Sequence, residues 1–373
     1  MEKSVITLPI TPTANPPLGL IASILVGDFA ARNLGLKFVL ALGPQMLLKE
    51  VDRESTVQSF LRHLNFVGVR PDFVWRIDSK KSRDEIRSFT SILVARGLIR
   101  SESASVETCP CGALEKLTES VEWYEKRRLY TRTLGGLCCK FCQKLALREL
   151  KPVCRFFAVP GSAKINPFPN FYSKELVKQT EQIERTSFMV SRARESTMKI
   201  TVNGNEFGLD EDFAWQMYLS TMPAYGFEPT VILGSNHNLR ALVLIATLQN
   251  HECTTKPLTV LIPPYFLGEG RQRLGSEHGL ELLANVHLKN SIRVLVGSSL
   301  NWTQKESVLQ ISQLPLLDKM SKRLEALRNA GQTINDISGF LKRCEYQRIR
   351  NTTASARGDK GVVDPVSLFG IVD

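Results

Sequence analysis

The stretch TPTANPPLGLIAS, residues 11–23, separates a short apolar segment from a longer one, and this arrangement decides the fold. The apolar segment before it predicts a strand at 5–8, and the segment after it predicts a helix at 20–34. A second strand is predicted at 37–42. Strand, loop, helix and strand in this order are typical of a parallel α/β sheet, in which the first helix begins at an edge that can bind phosphate. The turn is therefore predicted to bind a nucleotide.

Apolar strands and helices alternate through two further parts of the chain. The first part is predicted to contain helices at 56–66 and 84–98 and a strand at 73–75. The second part begins near Phe213, and its predicted elements are a strand at 230–234, a helix at 239–248 and a strand at 258–262. This alternation favours a parallel sheet with helices on both faces.

Other segments interrupt or follow this pattern. We expect a cysteine-bearing insertion at about 101–155, a linker rich in proline and aromatic residues at 159–172, and an amphipathic helix at 171–191. From about residue 280 the pattern predicts helices throughout. A flexible tail is expected from Asn351 onward.

The charge and composition bound the class of protein. The chain has 373 residues and a formal net charge of +11. This charge favours a polyanionic partner, although a merely basic soluble protein would carry it too. No apolar run reaches the ~20 residues that a membrane-spanning helix needs, and no secretory signal is recognisable. Eight cysteines are too few for a disulfide scaffold at this length. We therefore expect a cytoplasmic protein without a membrane anchor.

The cysteine cluster predicts a metal site. Cys109 and Cys111 flank one tight turn, and Cys139 and Cys142 flank another with the usual two-residue gap of a zinc knuckle. Cys138 offers a spare donor. Four thiolates leave no open position on Zn²⁺, so the metal would be structural. The alternative is that these cysteines are small buried apolar residues without a metal.

The motif ANPPL at residues 14–18 resembles the lead-in to the HIGH signature of the class I aminoacyl-tRNA synthetases, most closely that of the methionyl-tRNA synthetases. The family continues with two histidines, whereas this chain reads GLIA at 19–22 and has its first histidine at His63. The cysteine insertion stands where that family has a zinc-bearing connective peptide. The resemblance implies a Rossmann-type parallel sheet, a zinc-knuckle insertion and a C-terminal helical region, with degenerate HIGH and KMSKS signatures.

The resemblance also implies a division into domains. The segments that it defines are a split Rossmann-like domain at 1–100 and 213–279, a connective-peptide insertion at 101–172, a helical linker at 173–212, a stem-contact-like helical region at 280–350 and a flexible tail at 351–373. No anticodon-binding domain is expected.

Candidate cleft residues follow from the positions that match the family. Trp215 falls at the aromatic wall of the amino-acid pocket, or else is a core aromatic residue. Gly234 and Asn236 stand in the turn where the family has Gly-Lys-Asp, and an asparagine can still hydrogen-bond a ribose hydroxyl. Arg271 and Arg273 lie at the position of the KMSKS loop and could partly replace its lysines. The predicted nucleotide or acyl cleft comprises Thr13, Asn15, Pro17, Gly19, Trp215, Gly234, Asn236, Arg271 and Arg273.

Adenylate formation needs positive groups around the transferred phosphate. One such donor lowers the activation free energy by a few kcal/mol. Because both signatures are degenerate, we expect that normal aminoacylation is lost. The first hypothesis is a transferase that forms an amide outside translation from an aminoacyl-tRNA or another activated acyl group. The second is an ATP-dependent aminoacyl ligase with rebuilt phosphate contacts. The third is a non-catalytic tRNA-binding, nucleotide-binding or scaffold protein. Zn²⁺ and an ATP or adenosine moiety are the expected cofactors, tRNA or aminoacyl-tRNA is the expected partner, and no catalytic residue is assigned.

Overall fold

The structure is a computed structural model. It describes residues 1–43, 53–112, 114–120, 130–192, 198–252, 257–272, 274, 289–300 and 302–329. The predicted tail from Asn351, the whole segment 275–288 and residue Arg273 lie outside these ranges.

The helices and strands follow the chain in two sets. The elements up to residue 168 are β1 (Glu2–Thr7), α1 (Leu18–Leu34), β2 (Lys37–Leu42), α2 (Arg53–Phe66), β3 (Phe73–Arg76), α3 (Lys80–Ala95), β4 (Ile99–Thr108), β5 (Glu115–Leu117), β6 (Tyr130–Thr133), β7 (Gly136–Cys139), β8 (Leu147–Phe156) and β9 (Ile165–Phe168). The elements after residue 168 are α4 (Ser173–Arg185), β10 (Phe188–Met189), β11 (Lys199–Val202), β12 (Asn205–Gly208), α5 (Glu211–Ala214), α6 (Tyr218–Thr221), β13 (Phe227–Leu233), α7 (Leu239–Gln249), β14 (Leu258–Leu261), β15 (Tyr265–Leu267), α8 (Lys289–Ser299), β16 (Glu306–Val308) and α9 (Leu314–Asn329).

Six parallel strands form the central sheet, in the order β3-β2-β1-β13-β14-β9. The first strand pairs with β2 on one side and with β13 on the other, so the two halves of the sequence meet along β1. Apolar residues alternate between the two faces because successive side chains of a strand point in opposite directions. Phe38 and Leu40 join the core beneath α1 and α2, while Val39 and Ala41 join the core on the opposite face. The predicted α/β fold with a parallel sheet is confirmed.

The linker predicted at 159–172 contains a strand of the sheet, so that prediction is wrong. Ile165–Phe168 forms β9, which pairs in parallel with β14 at the edge of the sheet. Pro167 hides this strand from sequence reasoning because proline normally breaks a ladder. It is tolerated here because an edge strand has one side without a neighbour.

Three predicted helices begin or end elsewhere in the structure. The helix expected at 84–98 is α3, which begins at Lys80 because the Ser79 hydroxyl accepts a hydrogen bond from the Ser82 amide at the helix N-terminus. The helix expected at 171–191 ends at Arg185, since Phe188 and Met189 pair with β8 as β10. The region from residue 280 is not helical throughout, because β16 lies between α8 and α9 and pairs with β15.

The cysteine-bearing segment forms its own antiparallel sheet, in the order β10-β8-β4-β5, together with the β6–β7 hairpin. The long strands β4 and β8 pair over their full ten-residue lengths. At the other end of the chain, α8 packs on α1 through the buried Arg293, which donates to the Val67 carbonyl at 2.9 Å and lies 3.7 Å from Asp28. Among the described helices none has the length and apolar character needed to cross a membrane. The predicted domain boundaries stay a prediction.

Candidate ligand cleft and candidate metal centre

Two adjoining cavities open at the carboxyl ends of β1 and β13. The first, of about 430 Å³, is lined by Pro17, Gly19, Gly234, Asn236, Tyr265 and Phe266 among others, and is called the α1 cavity here. The second, of about 320 Å³, is lined by Lys116, Phe188, Asp210, Trp215, Gln216 and Arg240 among others, and is called the insertion cavity. Both are also lined by Pro9, Thr11 and Asn238. Because they share these three wall residues, the two cavities form one cleft at the edge where parallel α/β sheets bind ligands.

The described part of the α1 cavity wall is uncharged. Among the described residues that line it there is no lysine, arginine, histidine, aspartate or glutamate. The first turn of α1 explains part of this, since Gly19 has no side chain, Leu20 is apolar, and Ile21 and Ala22 are fully buried in the core. A side chain at position 19 would also crowd β15, because a Cβ atom there would stand 3.3 Å from the Phe266 carbonyl oxygen. What remains on this wall is the N-terminus of a 17-residue helix, whose free amides can bind an anion.

Gly234 and Asn236, two of the predicted cleft residues, also lie on the wall of the α1 cavity. Gly234 is required by packing, because a Cβ atom there would come within 2.9 Å of Leu242 Cδ1 and Val260 Cγ1. The Asn236 carboxamide donates from Nδ2 to the Lys305 carbonyl at 3.2 Å, which links the turn after β13 to the segment before β16. Its position at the cavity is compatible with the predicted contact to a ribose hydroxyl.

The insertion cavity has a charged wall. Lys116 and Arg240 bring two cations to it, and Asp210 and Asp212 bring two carboxylates. Lys116 and Asp210 have side chains that are only 7% and 3% exposed. The Arg240 guanidinium lies over the Phe188 ring, 4.5 Å from its centroid, where a cation–π contact fixes it. Trp215 is half-buried on this wall, beside the polar groups.

Asp210 organises the buried charges. Its Oδ1 caps α5, accepting hydrogen bonds from the amides of Asp212 at 2.7 Å and Phe213 at 3.3 Å. Its Oδ2 lies 2.8 Å from Arg192 Nε and 3.9 Å from Lys116 Nζ. Two cations and two backbone amides therefore surround this buried carboxylate. The cap therefore fixes the direction of α5 and of the Trp215–Gln216 turn that follows it.

Sequence reasoning missed Lys116 and Asp210. Asp210 had a readable signal, since an aspartate three residues before the apolar FAW segment at 213–215, with two further acidic residues after it, is a typical helix N-cap. Lys116 had none. It lies on β5 within the insertion, and only the folding of the insertion over the sheet brings its ammonium group to the cleft.

The remaining predicted cleft residues lie elsewhere. Thr13 is exposed and Asn15 is half-buried, and the described walls of the two cavities include neither. Arg271 is also outside both walls: its side chain is 75% exposed and its Nη1 atom lies 3.9 Å from Glu306 Oε2. Arg273 is outside the described residues.

The structure brings the four predicted metal ligands together. The Sγ atoms of Cys109, Cys111, Cys139 and Cys142 all lie within 4.8 Å of one another. Two of these separations are 3.2 Å, between Cys109 and Cys111, and 3.7 Å, between Cys111 and Cys139. Sulfur atoms at about 2.3 Å from a tetrahedral Zn²⁺ would be spaced by nearly 4 Å.

The environment of the thiols also suits a metal. The backbone N–H of Lys144 favours the thiolate form of Cys142 and lowers its pKa to about 7, and the amide of Leu114 donates to Cys109 Sγ at 3.2 Å. Cys138 is not a member of this group of four. The four thiols therefore fit Zn²⁺, which would close the turns of the insertion without taking part in catalysis.

Comparison with known proteins defines the fold. No protein-family model matches the sequence, and no curated protein matches it. One similar solved structure is the Mycobacterium tuberculosis methionyl-tRNA synthetase bound by methionyl-adenylate, with a TM-score of 0.63 and 11% identity, covering 88% of this chain and 72% of that chain. A second structure of the M. tuberculosis methionyl-tRNA synthetase, also with methionyl-adenylate, has a TM-score of 0.64 and 11% identity, covering 99% of this chain and 82% of that one. This chain thus has a fold like that of a class I synthetase.

Proposed function

We propose that this protein binds an aminoacyl-adenosine-shaped ligand and transfers its acyl group to an amine, outside translation. The observation that carries the proposal is the pair of cavities joined at Pro9, Thr11 and Asn238. The α1 cavity would receive the adenosine, with Asn236 at a ribose hydroxyl. The insertion cavity would receive the acyl group against Trp215. Both structural neighbours are complexes with methionyl-adenylate, a ligand of this shape.

The uncharged wall of the α1 cavity favours an acyl group that arrives already activated. Splitting ATP develops negative charge on a pentacoordinate phosphate and on the departing pyrophosphate, and enzymes place cations there. The described wall offers helix amides and no cationic side chain. An aminoacyl ester, by contrast, needs no phosphate chemistry. The amine nitrogen forms a bond to the acyl carbon, the C–O bond to the ribose breaks, and the ribose oxygen takes up the proton that the amine loses.

The partner in this proposal is aminoacyl-tRNA, since its acylated 3′ adenosine is an aminoacyl-adenosine. The formal net charge of +11 supports a polyanionic partner. The four cysteines would hold a structural Zn²⁺, and the cytoplasm, where thiols stay reduced, is the compartment that suits them. The cleft holds the acyl carbonyl and the incoming amine close together, which is the main contribution that a transferase of this kind makes.

Three measurements test the proposal. Adenosine and a set of acyl-sulfamoyl adenosines should raise the melting temperature of the protein, with the acylated compounds raising it further. Incubation with aminoacyl-tRNA and an amine acceptor should consume the ester and produce an amide. Exchange of pyrophosphate into ATP should be undetectable.

The alternative functions predict other results. Binding of acyl-adenosines without any consumption of aminoacyl-tRNA, over a panel of amino acids and acceptors, would contradict the transferase and favour a binding or scaffold protein. Exchange of pyrophosphate into ATP at the rate of a working synthetase would also contradict the transferase, and would favour an ATP-dependent ligase.

A further inference from the structure

Three aromatic side chains lie around the carboxyl end of the edge strand β9. Phe168 is the last residue of β9 and is 42% exposed, and Phe171 in the turn that follows is 39% exposed. Trp302 is half-buried, and its ring centroid lies 5.3 Å from that of Phe168. The fully buried Tyr172 supports Phe171, with ring centroids 4.5 Å apart. Phe168, Phe171 and Trp302 are called the aromatic patch here. Large apolar side chains that stay exposed next to one another mark an interaction surface.

The strand β9 brings one side of the aromatic patch to the α1 cavity. The Phe168 carbonyl accepts a hydrogen bond from the Ile262 amide at 2.7 Å. The residue after Ile262 is Pro263, which lines the α1 cavity. The patch therefore begins where this wall of the cavity ends, at the carboxyl ends of β9 and β14.

The segment before β16 links the other side of the aromatic patch to the same cavity. Lys305 follows Trp302 by three residues. Its carbonyl accepts hydrogen bonds from the Tyr265 amide at 2.8 Å and from Asn236 Nδ2 at 3.2 Å. Tyr265 and Asn236 both line the α1 cavity, and neither is on the described wall of the insertion cavity. The patch thus adjoins the cleft on the side of the α1 cavity.

The charges beside the aromatic patch are compatible with a polyanion. Residues 168–175 and 302–306, which carry the patch, contain two carboxylates, Glu175 and Glu306. Glu175 pairs with Lys305, and Glu306 Oε2 lies 3.9 Å from Arg271 Nη1. The exposed Lys174 adds a further cation. Aromatic rings beside cations are a surface that suits single-stranded nucleic acid, because bases stack on the rings and cations attract the phosphates.

We propose that the aromatic patch binds the unpaired nucleotides that precede the acylated adenosine of an aminoacyl-tRNA. This inference rests on the proposed function, which puts the adenosine in the α1 cavity and the acyl group in the insertion cavity. The acyl group is attached to the 2′ or 3′ oxygen of the terminal ribose, whereas the preceding nucleotide is joined through the 5′ oxygen. The strand therefore leaves the adenosine away from the acyl group, and the patch adjoins the α1 cavity on that side. Stacking accepts any base, so the patch would hold the strand without reading its sequence.

The test compares RNAs that differ in the nucleotides attached to adenosine. Titration calorimetry should show that the trinucleotide CCA binds at least about 10-fold more tightly than adenosine, because each stacked base tightens binding by about 5-fold or more. The trinucleotide ACC carries its extra nucleotides on the 3′ side of the adenosine, toward the insertion cavity. It should gain less than about 2-fold over adenosine.

Substitutions in the aromatic patch locate this gain. Phe168→Ala and Phe171→Ala should each weaken the binding of CCA by about 5-fold or more and leave the affinity for adenosine unchanged. Phe168→Tyr keeps the ring and should keep the affinity for CCA. Leu34→Ala is the matched control, since Leu34 is an exposed apolar residue at the far end of the 17-residue helix α1, about 25 Å from its first turn. Melting curves establish that all four variants are folded.

The two proposals fail in different ways. If adenosine binds but CCA binds no more tightly, if ACC gains as much as CCA, or if both alanine variants bind CCA as before, the role of the aromatic patch is overturned and the cleft assignment stays intact. If light scattering shows a dimer that the alanine variants convert to a monomer while they still bind CCA, a second copy of the chain occupies the patch, which also contradicts the proposal. No binding of adenosine, CCA or acyl-adenosines would instead remove the proposed function, and this inference with it.

Discussion

The two halves of the cleft differ in charge although they share three wall residues. The described wall of the α1 cavity has no ionisable side chain, whereas two cations and two carboxylates line the insertion cavity. The difference has a structural origin. The α1 wall consists of strand ends, tight turns and the first turn of a buried helix, where close packing leaves space for glycine and apolar residues. The other wall is covered by the insertion and by α5, whose cap gathers charge around Asp210.

The contrast indicates a division of roles. The uncharged cavity suits a nucleoside that is recognised by shape and by a few hydrogen bonds, and the charged cavity suits the variable part of a ligand. In the proposed function the insertion would determine which acyl group binds, and the parallel sheet would determine where it binds. Four predictions test that division.

The largest effect is expected from the thiol cluster. Cys139→Ser, or a strong chelator, should remove one zinc per chain and release the turns of the insertion, because a structural zinc site contributes much of the folding energy of a small module. Acyl-adenosines should then bind about 100-fold more weakly, approaching the affinity of adenosine alone. Zinc content is measured by mass spectrometry of metals and affinity by calorimetry.

Cys138→Ser provides the control for the cluster, since Cys138 lies outside the group of four thiols. It should retain both the zinc and the affinity for acyl-adenosines. If Cys139→Ser keeps full zinc occupancy, the four-thiol site is wrong.

A paired substitution compares the two cavities directly. Trp215→Ala removes the aromatic wall of the insertion cavity and should weaken acyl-adenosines by about 10- to 100-fold, as truncation of a buried aromatic contact commonly does. The affinity of this variant for adenosine should be unchanged. Asn236→Ala should weaken adenosine and its acyl derivatives alike, by about 3- to 10-fold, through one lost hydrogen bond. Equal effects of Trp215→Ala on all ligands would show that the cavities do not act separately.

Gly234→Ala should lower stability by about 1–3 kcal/mol, a typical result of overpacking. The added methyl group would stand 2.9 Å from both Leu242 Cδ1 and Val260 Cγ1, so these side chains, or the elements that carry them, must shift. Urea unfolding gives the change in free energy. Ser235→Ala at the next, half-buried position is the control and should change stability by less than about 0.5 kcal/mol. An unchanged midpoint for Gly234→Ala would contradict the tight packing at the end of β13.

The smallest effect is expected at Arg271. Its side chain is 75% exposed and outside both described walls, so Arg271→Ala should change the affinity for any acyl-adenosine by less than about 2-fold, as is usual for an exposed charge. Calorimetry with the ligands used above measures this. A loss of affinity above about 10-fold would show that Arg271 contributes to ligand binding, as its position in the sequence after β14 first predicted.

Strongly apolar elements were predictable from the sequence, and polar or short ones were not. The strand at 37–42 was predicted with the bounds that β2 has, because both faces of this strand are buried and its apolar run is continuous. The edge strand β9 was missed because Pro167 and its neighbours carry no apolar pattern. In the cleft, Pro17, Gly19, Gly234, Asn236 and Trp215 were found through local motifs. Lys116 could not be found, since its place depends on tertiary contacts between the insertion and the sheet.

The buried pairing of Arg293 with Asp28 has a practical consequence for handling the protein. Trimming the chain before α8 would remove Arg293 and leave Asp28 with Arg32 as its one remaining cation among the described residues. It would also remove Ile292 and Leu295, which are fully buried, and would uncover the apolar core residues with which they cluster. Losing one of the two cations beside a buried carboxylate is destabilising, and a freshly exposed apolar face invites aggregation. A shortened expression product should therefore keep residues up to at least Asn329.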